Sequence, residues 1–512
     1  MVRQTENVNR SSHERWLTLT PATMAVVVGV VAFVVRYALT GAIENDYFVT
    51  FARALQVLDG DWPVRDFEDP GFPLSYLLSS AVAALFGPSL LVSVLLSVLL
   101  LALTSAVTYL LAYRATASQT AALVACAITV AIYPRLYNAT KVIVPVIAIW
   151  LAWRYADAAR SRQLVGLALW TAVAFLLRHD YLVYVALGNS VLLIACHGHA
   201  PREATRRLVV YAALSLLFIV PWLVYVQVYE GLPAYFSSAV RFTAAEGRRT
   251  ATGSLPWLFF AFVAIPVAAI IASFRPGLHL KRGQLASAAV MLLSLDVVFL
   301  RDALAARIPD VVAPTAIVAA ATAAHLLSIR AVARGAMIAA LVIAVLQVTT
   351  KLATPPQPAD AFRRLSDITQ RLRRVSPEIV PNPSLAPLTS YLTRCTGAGD
   401  RVLVAGFGPE IPVLAHRPFA ARLPTWIPGY YVDSAEIERA LMQLGREPLG
   451  AAVFLDGSMV VERFWPALLQ AVRDRGFEEH AVSPINARVR IWLPHSGDTR
   501  RDTATNLPCP SR

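Results

Sequence analysis

Apolar residues in this chain gather into long runs, interrupted by short polar stretches. After a polar opening from Met1 to Trp16, the first run extends from Leu17 to Leu39. Further runs read approximately as Ser89 to Tyr113, Gln119 to Tyr133, Ala139 to Trp153, Leu164 to Leu177, Tyr181 to Cys196 and Leu208 to Tyr229. Four more lie at Leu255 to Phe274, Leu285 to Leu300, Val311 to Leu327 and Ala336 to Thr350. A helix needs about 20 apolar residues to cross the hydrocarbon core of a bilayer. The pattern therefore predicts a polytopic α-helical membrane protein with about eleven transmembrane helices. Small residues at Ala38 and Thr40 to Ala42 would also suit a cleavable signal peptide, but the first apolar core is long for one. An uncleaved anchor is the expectation.

The pattern changes after Thr350. Pro355, Pro356 and Pro358 mark a linker, and Ala359 to Arg374 reads as an amphipathic helix suited to a membrane surface. Arg401 to Ala405, Ala451 to Leu455 and Ala487 to Leu493 read as strands, and Ser434 to Leu444 and Pro466 to Arg475 as helices. Together they predict a small C-terminal α/β domain. The expected division is a transmembrane domain over residues 1–350 with its first outer loop at 40–88, a linker with interfacial helices over 351–400, and the α/β domain over 401–512. Gly406-Phe407-Gly408-Pro409 lacks both the nucleotide-binding glycine spacing and the Lys-Ser/Thr pair of a phosphate loop, so it reads as a tight strand-to-helix turn.

Composition excludes a soluble globular protein: 56% of residues are hydrophobic, 15% are charged and the mean hydropathy is +0.55. The net charge of +13 would also suit a nucleic-acid binder, but the basic residues are dispersed and form no recognition motif. Membrane orientation accounts for them. Counting from a cytoplasmic N-terminus puts Arg154/Arg160/Arg162, Arg202/Arg206/Arg207, Arg275/Lys281/Arg282 and Arg330/Arg334 in cytoplasmic connections, as the positive-inside rule requires. The same count places Glu44 to Tyr76, Arg178-His179-Asp180, Glu230 to Ser254, Arg301 to Asp310 and everything after Lys351 outside the cytoplasm. Cys126 and Cys196 lie in apolar runs, and the four cysteines form no metal pattern. A Cys395–Cys509 disulfide is open to the chain if its C-terminal end is extracytoplasmic.

Candidate chemistry concentrates in the first outer loop. Phe48, Phe51, Ala52, Leu55 and Leu58 fall at helical spacing, so a short interfacial helix would begin near Glu44 and Asp46. At that place an acid serves equally as helix cap or as catalytic base. Asp66, Glu68 and Asp69 follow between Pro63 and Pro73, as a solvated acidic turn or as part of a site. Arg178-His179-Asp180 is either a polar turn between two spans or a phosphate-binding group facing the same side. Lys141, Arg241, Arg248, Arg249, Arg301 and Arg307 are further cations for that role, and as a group they suit a solvated or headgroup-contacting face better. Tyr133, Tyr137, Trp222, Tyr225, Tyr229, Tyr235 and Trp257 read mainly as aromatic belts.

The order of acids after the first span, an aromatic-rich helix, Leu58-Asp59-Gly60, Pro63-Val64-Arg65-Asp66-Phe67 and Pro70-Gly71-Phe72-Pro73-Leu74-Ser75-Tyr76 resembles the first periplasmic loop of polytopic GT-C glycosyltransferases. The likeness is to the superfamily of protein mannosyltransferases, aminoarabinose transferases and bacterial lipopolysaccharide-sugar transferases. It covers the first loop well and the span count and C-terminal domain more loosely. That superfamily commonly has adjacent acids directly before an aromatic, whereas Asn45 separates the acids here. The resemblance implies a GT-C-like enzyme of a bacterial inner membrane. It would transfer a hexosyl or pentosyl unit from a polyprenyl-phosphate donor to a lipid, glycan or protein acceptor outside the cytoplasm. Asp46, or Glu44 second, would be the base. Asp66, Asp69, Tyr76, Arg178, His179 and Asp180 would bind substrate or donor. Magnesium or manganese on Glu44, Asp46 or Asp66 is left open. A transporter or lipid flippase, and a non-catalytic envelope-assembly protein, are the alternatives. The chain shows no convincing internal repeat for the first, and anchorage alone calls for no acidic loop.

Overall fold

The computed structural model of the chain describes residues 20–132, 134–250, 257–274, 282–297, 307–326, 358–380, 383–427, 434–455, 458–481, 489–495 and 500–509. Ten of the expected spans fall on helices: α1 (Pro21–Ala38), α4 (Leu90–Thr116), α5 (Gln119–Ala131), α6 (Ala139–Ala158), α7 (Ser161–Leu177), α8 (Tyr181–His197), α9 (Pro201–Tyr229), α11 (Trp257–Ser273), α12 (Arg282–Val297) and α13 (Ile308–Leu326). The eleventh, Ala336 to Thr350, lies outside the described residues. Pro21 opens α1 behind its Thr20 cap, and Ser89 and Ser118 cap α4 and α5 through their side chains, which meets backbone N–H groups that a helix start leaves unpaired. The chain is a polytopic helical membrane protein with a small strand-containing region at its C-terminal end.

Polar links between helices define the two ends of the bundle. At one end Arg114 pairs with Asp157 at 2.6 Å, Gln284 donates to Asp157 at 3.1 Å and Tyr155 meets His197 at 2.9 Å, tying together α4, α6, α8 and α12. At the other, Asn138 and Lys141 reach Asp310 at 3.1 and 3.3 Å, joining α6 to α13. Between them lies an apolar core that includes Leu101, Trp153, Leu192, Leu292 and Ile317.

The first loop forms more helix than its sequence pattern predicts. The expected interfacial helix is α2 (Asn45–Leu58), but Phe48, Phe51 and Ala52 are buried in protein instead of facing lipid. A second helix, α3 (Pro73–Phe86), starts with Pro73, whose fixed φ and missing N–H suit the first helical turn. Glu230 to Ser254, expected as loop, contains α10 (Leu232–Thr250). The amphipathic α14 (Pro358–Arg374) packs on α1 through Tyr37 and Thr369, whose hydroxyls are 2.8 Å apart, and Arg364 donates to the Ala38 carbonyl.

In the C-terminal region α15 (Ala386–Cys395) leads to β1 (Arg401–Ala405) and a short α16 (Glu410–Leu414). Then come α17 (Ser434–Arg446), β2 (Leu449–Phe454), α18 (Ser458–Phe464), α19 (Pro466–Asp474), β3 (Phe477–Ala481) and β4 (Arg490–Pro494). The sheet order is β1-β2-β4-β3, with β1 and β2 parallel and the other pairs antiparallel. Alternate residues point to opposite faces. Leu403, Ala405, Ala452 and Phe454 pack under α17 and α19, while Val402, Val404, Ala451 and Val453 pack under α15. Gly406 adopts φ +129°, and a side chain there would meet Leu455, so Gly406–Pro409 is the tight turn expected. Cys395 and Cys509 are joined in a disulfide.

Candidate active site

Helices α2, α3, α4, α6, α8 and α13 and the C-terminal region enclose a cavity of about 330 Å³ at the Asp310 end of the bundle. Asp46 lines it from the first turn of α2, and Tyr76 from α3. Arg178 and Asp180 line it from the α7–α8 turn, Lys141 from α6, and Arg307 and Asp310 from the start of α13. The acidic first loop and the Arg178-Asp180 turn thus converge. Arg178 pairs with Asp180 at 2.8 Å and lies over the Phe72 and Tyr181 rings at 5.4 and 5.8 Å, which fixes its direction.

The two acids of the first loop have different surroundings. Glu44 is the N-cap residue of α2 and makes an ion pair with Arg135 at 3.0 Å, and Arg135 also donates to the Tyr137 hydroxyl at 2.7 Å. Burial raises the Glu44 pKa, Arg135 opposes that rise and Asp46 adds to it. The Asp46 N–H donates to Asn45 Oδ1 at 3.1 Å, while no described residue donates a hydrogen bond to the Asp46 carboxylate. Tyr47, next to it, also lines the cavity, and its hydroxyl meets that of Ser93 at 2.8 Å.

Three expected binding residues lie outside the cavity wall. Asp69 is fully buried and accepts from Phe72 N–H at 2.7 Å, Gly71 N–H at 3.1 Å and the Tyr235 hydroxyl at 2.8 Å. Burial pushes its carboxyl up to about 6 against the pull of those donors. His179 stacks on Phe175 at 4.2 Å and meets Tyr235 at 3.1 Å, and burial lowers its pKa to about 4, so it is neutral. Both brace the loop rather than face the cavity. Gly71 enables that bracing: its φ is +106°, and a Cβ there would stand 2.6 Å from His179 Nδ1. Asp66 accepts from Arg65 and Trp62 N–H and pairs with Arg422 at 3.1 Å. Burial raises its pKa, but these partners outweigh it and the net shift is downward.

Among the described residues no three His, Cys, Asp or Glu side chains gather as a metal-holding group. The belt aromatics also differ from expectation. Tyr225 donates to the Pro63 carbonyl at 2.9 Å, and Tyr235 packs with Val226 on Val64, so these rings hold the first loop. Val64 needs such support, because its φ of 71° is an outlier for a β-branched residue. Tyr137 lines the cavity. Arg241 is on α10 and is not part of the cavity wall; Tyr133, Arg301 and the side chains of Arg248, Arg249 and Trp257 lie outside the described residues. Sequence reasoning missed Asp310, Thr50, Phe407, Thr425 and Ile427 as wall residues. For Asp310 the signal was an acid at the start of an apolar run; the others carry none.

Fold and cavity define a polytopic helical membrane protein with a charged pocket at one end, roofed by a small strand-containing region. No family model matches the chain, and no curated protein matches it by sequence. Among solved structures, it is similar to ArnT from Cupriavidus metallidurans bound to undecaprenyl phosphate, with a TM-score of 0.53 and 15% identity over 93% of this chain and 98% of that one. The apo form of the same protein gives 0.52 and 16%, over 92% and 98%. The chain shares the overall fold of those ArnT structures.

Proposed function

We propose that the chain is an inverting membrane glycosyltransferase that moves a sugar from a polyprenyl-phosphate donor to an acceptor hydroxyl outside the cytoplasm of a bacterial cell. One observation carries this reading: a carboxylate with no hydrogen-bond donor among the described residues, Asp46, shares one cavity with Lys141, Arg178 and Arg307. Asp46 takes the acceptor proton as the acceptor oxygen forms its bond to the anomeric carbon. The bond from that carbon to the phosphate oxygen breaks, and the polyprenyl phosphate leaves with the electron pair. Its growing negative charge falls beside the three cations, placed in advance where charge develops. Tyr76 and Asp180 complete the donor wall. Leu78, Leu96 and Leu100 extend the cavity along α3 and α4, an apolar surface fit for the lipid chain.

The placement supports an outer-face site in the inner membrane. Arg154, Arg160, Arg162, Arg202, Arg206 and Arg207 collect at the bundle end away from the cavity, where the positive-inside rule puts the cytoplasm. The Cys395–Cys509 disulfide suits an oxidising compartment at the cavity end. The undecaprenyl phosphate of the similar ArnT structure agrees with a polyprenyl carrier. The test is purified protein in liposomes given a polyprenyl-phosphate sugar and a lipid or glycan extract. Transfer of label to the extract is expected, and movement of intact donor across the bilayer without bond cleavage would favour a flippase instead.

A further inference from the structure

The C-terminal region contributes Phe407, Thr425 and Ile427 to the cavity wall. These residues are tied to one another: Trp426 N–H donates to the Gly406 carbonyl at 3.0 Å, and Ala420 N–H to the Val402 carbonyl at 3.0 Å. They are also tied to the first loop, through Arg422. Its guanidinium lies 3.1 Å from Asp66 and 3.4 Å from Asp61, and its carbonyl accepts from Arg53 at 2.9 Å and Gln56 at 3.4 Å. Arg53 is buried and sits over the Phe67 ring at 4.2 Å. Ala421 and Arg422 both adopt left-handed backbone, φ 60° and 57°. Such residues persist where their surroundings hold them.

We propose that Phe407, Thr425 and Ile427 form the acceptor-facing wall of the transfer site, and that Arg422 is the positioning residue that seats this wall on the first loop. This rests on the transferase reading above. Asp46 stands at the start of α2, and the helix Glu410–Leu414 next to Phe407 packs against α2. The acceptor hydroxyl must reach Asp46, and the lipid-facing side of the cavity belongs to the donor chain. That leaves the C-terminal wall as the surface the acceptor meets. The Arg422 guanidinium spans two carboxylates, Asp66 through Nη1 and Asp61 through Nη2, a fork that lysine reproduces only in part.

Thr425 is 1% exposed and Val453, in the sheet core, is fully buried. In a background with Cys126 and Cys196 replaced by serine, Thr425→Cys and Val453→Cys are labelled with a water-soluble maleimide in detergent micelles. Arg422→Ala is expected to speed labelling at 425 at least tenfold and leave 453 unchanged. Arg422→Lys should fall between. With a polyprenyl-phosphate hexose as donor and octyl glucoside as acceptor, Arg422→Ala should raise the octyl glucoside KM about tenfold with the donor KM unchanged. Equal acceleration at 425 and 453 would make Arg422 a general stabiliser and overturn the proposal, as would unchanged labelling at 425 or an equal rise in both KM values. Labelling needs no catalysis, so a wild-type chain that transfers nothing would overturn the transferase reading separately, while the seat is still judged by its own result.

Discussion

At residue scale, Glu44 commits one carboxylate oxygen to Arg135, whereas Asp46 meets the cavity without a described hydrogen-bond donor. The sequence shows two acids around Asn45, and the resemblance puts Asp46 before Glu44; the surroundings that distinguish them depend on Arg135, which arrives from a distant segment. Asp46→Asn should therefore lower the transfer rate constant by about 10²- to 10⁴-fold, the usual worth of a general base, with donor binding retained. Glu44→Gln should cost less than about tenfold, since its half-exposed pair contributes little; single-turnover rates compare the two. The surroundings of Asp69 and His179 depend in the same way on a distant residue. Charge is legible in a sequence, but the Tyr235 that engages both residues is not. Glu410 makes a different prediction. It is buried beside α2, and burial pushes its carboxyl up to about 7, with Asp46 adding to the rise and its own N–H opposing it. A carboxyl raised in the fold stabilises while protonated, so that contribution is complete below about pH 4.5 and is lost as pH rises through about 7. Glu410→Gln should remove the loss, worth about 3 kcal/mol at most, and thermal midpoints at pH 5 and pH 8 in both proteins check it.

At the scale of elements, the long apolar runs declared ten helices because each is apolar on nearly every side, a pattern few other structures produce. Helix α10 escaped because its stretch is polar overall, although Tyr235, Ser238 and Phe242 sit at helical spacing and the first two reach the first loop through Asp69 and Glu68. Strand β3 escaped because Glu478, Glu479 and His480 occupy the sheet edge, where the apolar alternation that marks a half-buried strand is absent. The turn that joins loop to loop depends on Gly71. Gly71→Ala places a Cβ against His179 and forces a left-handed alanine, a backbone cost alone of about 1 to 2 kcal/mol. Transfer should fall at least tenfold, and replacing His179 with alanine in the same chain should recover part of it by removing the clash; initial rates of the single and double variants decide.

At the scale of the whole molecule, the fold brings distant segments to one end of the bundle: the first loop, the Arg178 turn, the start of α13 and the C-terminal region. The sequence predicted the common side by counting spans, and it predicted the C-terminal region as α/β. It did not predict that this region closes the cavity, because Phe407, Thr425 and Ile427 carry no charge and resemble ordinary turn residues until the chain has folded. The disulfide spans 114 residues of separation, and Cys509→Ser should lower the stability of the C-terminal region by about 2 to 4 kcal/mol, read from its denaturant midpoint. Orientation is checked at Arg65→Cys and Arg160→Cys, both at exposed positions, with the first expected to react from outside the cell and the second from inside. The most direct measurement is transfer of labelled sugar from a polyprenyl phosphate by purified wild-type and Asp46→Asn protein in liposomes, with donor binding measured in parallel. Transfer by the wild type, and its loss in the variant with donor binding intact, is the predicted result. Undiminished transfer by Asp46→Asn would contradict the assignment of the base, and no transfer by a wild-type protein that binds the donor would contradict the transferase itself.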